Sequence, residues 1–68
     1  RAQLDLVCDR LDAMLASDDA GAGELLEAHA DLFHSAFPLA YRTIEADVRS
    51  FDSESALAAL RAARKAAQ

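Results

Sequence analysis

Leu4, Val7, Cys8, Leu11, Met14 and Leu15 recur three and four positions apart, and at 100° per residue they share one face. Asp5, Asp9 and Asp12 fall elsewhere around the same cylinder. The pattern predicts an amphipathic helix over about residues 2–17. The stretch "SDDAGAG" then stops it, because two glycines, two aspartates and a serine favour a turn.

A second stripe runs through Leu26, Ala30, Phe33, Phe37, Ala40, Ile44, Val48 and Phe51 without a jump in phase. It passes directly across Pro38, whose ring deletes one helical hydrogen bond and crowds the preceding turn. A break there would need turn residues and a cap, yet Phe37 is a poor N-cap and no glycine is near. The spacing therefore predicts one long helix, about residues 23–51, kinked at Pro38. The third stripe, Leu57, Leu60, Ala63 and Ala67, follows the "FDSES" stretch. Asp52 can cap this helix and Glu54 sits in its first turn, where a negative charge is favourable, giving a helix over about residues 53–67.

The expected fold is all-α: three helices forming a hairpin or bundle within a single domain, residues 1–68. At 1.5 Å per residue the central helix would be roughly 43 Å long and its neighbours about 24 and 22 Å. The first helix would fold along the first half of the central one, and the third along its second half. Each half would keep an uncovered apolar face, with Leu11, Leu15, Phe37, Leu57 and Leu60 as candidate interface residues. Pairing of two chains would complete a four-helix bundle, so a twofold homodimer is expected. The rival arrangement is a compact four-helix monomer with a sharp bend at Pro38.

Composition narrows the function classes. Much of the 53% hydrophobic content is alanine, which favours helix but buries little area. A domain of 68 residues sits near the lower limit for a self-supporting core. The chain opens on Arg1 instead of Met, which points to a piece of a longer polypeptide or a processed product. The net charge of -5 is concentrated in the first half, and no basic stripe exists to neutralise phosphates, which argues against nucleic acid. Cys8 is the only cysteine, so an internal disulfide and a cysteine-based zinc site are excluded, and a buried small hydrophobe is its expected role. The longest apolar run, "AFPLAY", is far too short for membrane insertion. A soluble cytoplasmic domain without a cofactor is the expectation.

Candidate chemistry gathers in "HADLFHSAFP", which holds both histidines. His29 and His34 are five residues apart, about 140° around a helix, and point to opposite flanks of the stripe. Helical metal pairs sit three or four apart, so these two do not make a metal site. Ser35 beside His34 diverges from it, and no glycine-rich nucleophile turn or phosphate loop is present. Phosphoryl transfer through a surface histidine needs exposure, small neighbours and nearby positive charge. His34, followed by Ser35 and Ala36, meets the steric demand, but Asp31 lies one turn before it and Arg42 two turns after.

The segment "LLEAHADLFHSAF...YRTIEADVRSFDSESALAALRAA" resembles helical segments at the C-terminal ends of bacterial hybrid sensor histidine kinases, after their receiver domains. Residues 25–63 carry the likeness, and "SFDSESALAAL" is its most distinctive part. The resemblance implies a noncatalytic docking or regulatory module in two-component signalling, with a receiver or kinase domain as partner. Histidine-phosphotransfer domains similarly place a histidine on a bundle helix, followed by leucine, lysine and glycine. Neither "HADLF" nor "HSAFP" supplies the lysine or the glycine. A divergent phosphotransfer domain using His34 or His29 is the second reading, and a stand-alone helical adaptor the third.

Overall fold

The computed structural model describes residues 2–67, which form five helices: α1 (Ala2–Ala16), α2 (Ala22–Ala28), α3 (Ala30–Ala36), α4 (Pro38–Arg49) and α5 (Ser53–Ala67). α1 and α5 match the expected first and third helices closely. They lie antiparallel, and three cross-links step along them: Asp18 with Ser53, Asp12 with Arg61 and Asp9 with Arg64. The Asp52 carboxylate accepts from the Ser55 N–H at 3.2 Å, the capping bond that starts α5.

The expected long helix is divided in three. A continuous helix over residues 23–51 would measure roughly 43 Å, whereas the longest axis of the molecule is 26 Å. The chain bends at His29 (φ -117°, ψ 27°) and more sharply at Phe37 (φ -136°, ψ 66°). Pro38 explains the second bend. Its ring pushes the preceding residue out of the helical region, and its missing N–H costs nothing at the first position of a new helix. Phe37 makes no side-chain cap, as its residue type requires, but its ring is buried and anchors the corner.

The stripe nevertheless keeps its phase, for a reason visible in the backbone. The His29 N–H donates to the Leu25 carbonyl, and the Phe33 N–H to that of His29. Across the next corner the Phe37 N–H donates to Phe33 and the Tyr41 N–H to Phe37, both at 2.7 Å. Four-residue hydrogen bonds thus pass through both bends, so the apolar rotation continues while the axis changes direction.

The bends let α2 fold back onto α4. Gly23 sits where a Cβ would lie 3.3 Å from Val48 Cγ1, a close approach that suits glycine. α1 then packs on both α2 and α5, and α5 on α4. This closes the core within one chain, around Leu11, Leu26, Phe33, Ile44, Ala56 and Leu60, each 2% exposed or less. Burial of each large side chain contributes about 1.5–3 kcal/mol. Tyr41 joins the core although it lies off the expected stripe. Phe51 leaves it: the last member of that stripe is 91% exposed.

Two helices end in the same way. Asp18 (φ 57°) and Phe51 (φ 61°) both adopt the left-handed conformation. In each case the following N–H reaches five residues back, Asp19 to the Met14 carbonyl and Asp52 to that of Asp47, both at 2.8 Å. Such caps satisfy the last carbonyls of a helix and usually carry glycine. Here an aspartate and a phenylalanine take the position.

Candidate functional site

His34 lies in the last turn of α3 and is exposed, while His29 is half-buried at the α2–α3 bend. The His34 ring meets that of Tyr41 on α4 at 5.3 Å between centroids, tilted by 51°. This contact braces the corner at Phe37, and it is invisible while residues 23–51 are read as one helix. Tyr41 donates its hydroxyl to Glu45 at 3.3 Å. Burial, reinforced by the Glu45 carboxylate, pushes the phenol above its ordinary range. No group of three or more histidine, cysteine, aspartate or glutamate side chains able to hold a metal ion exists among the described residues.

Cys8 is 1% exposed in the core. Burial raises its thiol, and the neighbouring Asp5 and Asp9 carboxylates add to this, while Arg64 opposes it. The sequence places no cation beside Cys8, yet α5 brings Arg64 to it. A protonated, covered thiol is a poor nucleophile. On the surface, the Arg61 guanidinium donates two hydrogen bonds to Asp12, at 3.1 and 3.2 Å, and holds that carboxyl below its usual range.

The interface candidates need correction. Leu11, Leu15, Phe37 and Leu60 are buried by the chain's own helices, because α1 bridges α2 and α5 instead of following half of a long rod. Leu57 alone among the five is partly exposed. The large apolar side chains that do reach solvent are Leu6 (70%), Leu39 (79%) and Phe51 (91%). Leu39 stands at the rim of a shallow depression of about 300 Å³, lined by Ala36 and Phe37 at the α3–α4 corner, Pro38 and Ala40 of α4, and Ala63 and Ala66 of α5. Phe51 and Leu57 line another at the opposite end, of about 400 Å³.

No protein-family model, curated protein or solved structure matches this chain. No helix among the described residues is long and apolar enough to cross a membrane. What the site offers is an all-helical body with a closed core and apolar side chains presented at separate points of its surface.

Proposed function

We propose that the chain is a noncatalytic docking or regulatory module of a cytoplasmic two-component signalling protein, acting on a receiver or kinase domain. The observation that supports a binding role is the pairing of a closed core with Leu6, Leu39 and Phe51 left in solvent. Of these, Leu39 continues into the depression lined by Phe37, Pro38 and alanines of three helices, and a contiguous exposed apolar surface commonly marks a contact site. The signalling context rests on the resemblance of residues 25–63 to the C-terminal segments of hybrid sensor kinases. Self-association, in this reading, uses the exposed groups and not the buried leucines.

Phosphotransfer through His34 is the second reading, favoured by the exposure of that side chain on a bundle helix. The Tyr41 ring packs against it at a tilt, and neither lysine nor glycine follows the histidine. Incubation with a phosphorylated receiver domain separates the two. The docking reading expects binding without acid-labile phosphate on the chain, unchanged by His34→Gln. Transfer of phosphate that His34→Gln abolishes, with the fold intact, would replace it.

A further inference from the structure

Where α1 ends and α5 begins, a depression of about 400 Å³ opens between them. Leu15, Ala16, Phe51 and Leu57 supply its apolar lining, and Asp18, Asp52 and Glu54 line it with charge. Leu15 is buried, Leu57 is half-exposed, and the Phe51 ring stands almost wholly in solvent. No lysine or arginine lines this depression, and its three carboxylates make no ion pair among the described residues. Asp18 and Asp52 accept hydrogen bonds from Ser53 Oγ and the Ser55 N–H, neutral donors that leave the negative charge in place. The cations nearest in sequence are turned elsewhere. Arg49 faces Glu45 at 3.7 Å, Arg61 is held by Asp12, and Arg10 lies five residues before Leu15, about 140° away around α1. The depression between α2 and α4 carries both signs, Glu27 and Glu45 with Arg49, and the one beside Leu39 has no charged lining. Neither of those selects a partner by charge, whereas the α1–α5 depression does.

Resting on the docking reading above, we infer that this depression seats a basic segment of the partner protein, an arginine beside an aliphatic side chain. An apolar surface alone would accept any hydrophobic group. Three carboxylates around it reject acidic partners and favour cationic ones. Arginine answers both chemistries of the site. Its guanidinium pairs with a carboxylate through two parallel hydrogen bonds, and its flat face stacks on an aromatic ring. The Phe51 ring is the aromatic surface on offer, held outward by its left-handed backbone. The aliphatic neighbour of the arginine then covers the exposed part of Leu57. A second copy of the chain is disfavoured as the occupant, because a net charge of -5 brings mostly acids toward acids.

Titration of the isotope-labelled full chain with a blocked peptide holding a leucine between two arginines, followed by amide chemical shifts, tests the site. Shifts should concentrate in residues 15–18 and 51–57, and added salt should weaken the binding. Exchanging both arginines of the peptide for glutamate should abolish it, and exchanging the leucine for serine should weaken it severalfold. In the chain, Phe51→Gly should weaken binding about tenfold, the scale of losing an aromatic anchor. The triple variant Asp18→Asn, Asp52→Asn, Glu54→Gln removes the charge but keeps the cap acceptors, and should also weaken it about tenfold. A control triple, Asp5→Asn, Glu24→Gln, Asp31→Asn, makes the same change in net charge at exposed positions elsewhere and should stay within about twofold. Circular dichroism verifies that each variant keeps the fold. No binding at about 1 mM peptide, shifts centred outside these residues, or equal binding of the glutamate peptide or by Phe51→Gly overturns the inference. Shifts in residues 51–57 on concentrating the free chain would overturn it by assigning the depression to a second copy. A receiver or kinase domain that binds while leaving residues 51–57 unperturbed overturns it too, with the docking reading intact. Peptide binding as expected, with neither domain bound, keeps the inference and removes the two-component partner.

Discussion

The outer helices α1 and α5 and the middle run α2–α4 solve the same problem differently. Each outer helix is 15 residues long, straight enough to carry cross-links at Asp9, Asp12 and Asp18, and begins and ends close to where its pattern predicts. The middle run carries an equally regular stripe yet changes direction twice. The difference teaches that hydrophobic period records rotation about an axis and says nothing of whether the axis is straight. Where the four-residue hydrogen bonds pass through a bend, the pattern passes through with them.

The most severe way to break the comparison is to empty the middle run. Phe33 is fully buried, and Phe33→Ala should cost about 3–5 kcal/mol, enough to unfold much of a domain this small. Urea denaturation measures it, and a loss below about 1 kcal/mol would mean that the middle run is not the centre of the core. Phe51→Gly should act in the opposite direction. Releasing a bulky residue from the left-handed region should stabilise the chain by about 1 kcal/mol, seen as a higher melting temperature. A destabilised Phe51→Gly chain would show that the ring packs within its own molecule.

Pro38→Ala sharpens the comparison through its sign. As the first residue of α4, proline restrains the unfolded chain, so the alanine variant should lose about 0.4–1 kcal/mol. Inside a long kinked helix the same change would instead gain up to about 3 kcal/mol. Thermal melts of the two proteins decide between these architectures.

The smallest effect belongs to the outer pair. The hydrogen bonds from Arg61 depress the folded-state pKa of Asp12 below its unfolded value. Its stabilisation is therefore present above the ordinary carboxylate pKa and is lost as pH falls through the lower, folded-state value. Asp12→Asn should flatten that part of the acid limb slightly while leaving stability near neutral pH little changed, since exposed pairs contribute modestly. An unchanged acid profile in Asp12→Asn would show that the pair does not persist in solution.

Much of this fold was legible from residue spacing. The first stripe, the second as far as Val48, the "SDDAGAG" turn and the Asp52 cap correspond to observed features, as do Leu57, Leu60 and Ala63 of the third, while its Ala67 side chain lies outside the described ones. The corner at Phe37 was not legible, because the usual sign of a helix start is a capping side chain and this one uses a buried ring followed by proline. The place of Phe51 was hidden for a related reason: spacing assigned it to a face, while the left-handed cap turned it outward. The leucines proposed for an interface were correctly read as apolar. What the spacing could not supply was which other helix covers them, a tertiary fact that depends on where the middle run bends. The His34–Tyr41 contact lay beyond reach for the same reason.

Cys8 gives the chain a clock of its own. It is the only thiol present, it is almost completely enclosed, and burial keeps it protonated. A thiol reagent can reach it only when the packing around α1 opens, so the labelling rate reports those openings. When reclosing outpaces the reagent, the ratio of that rate to the rate in unfolded chain gives the opening equilibrium directly. Such a measurement follows the packing around α1. Set beside amide exchange in residues 22–49, it would reveal whether the straight pair and the bent run come apart together or in sequence.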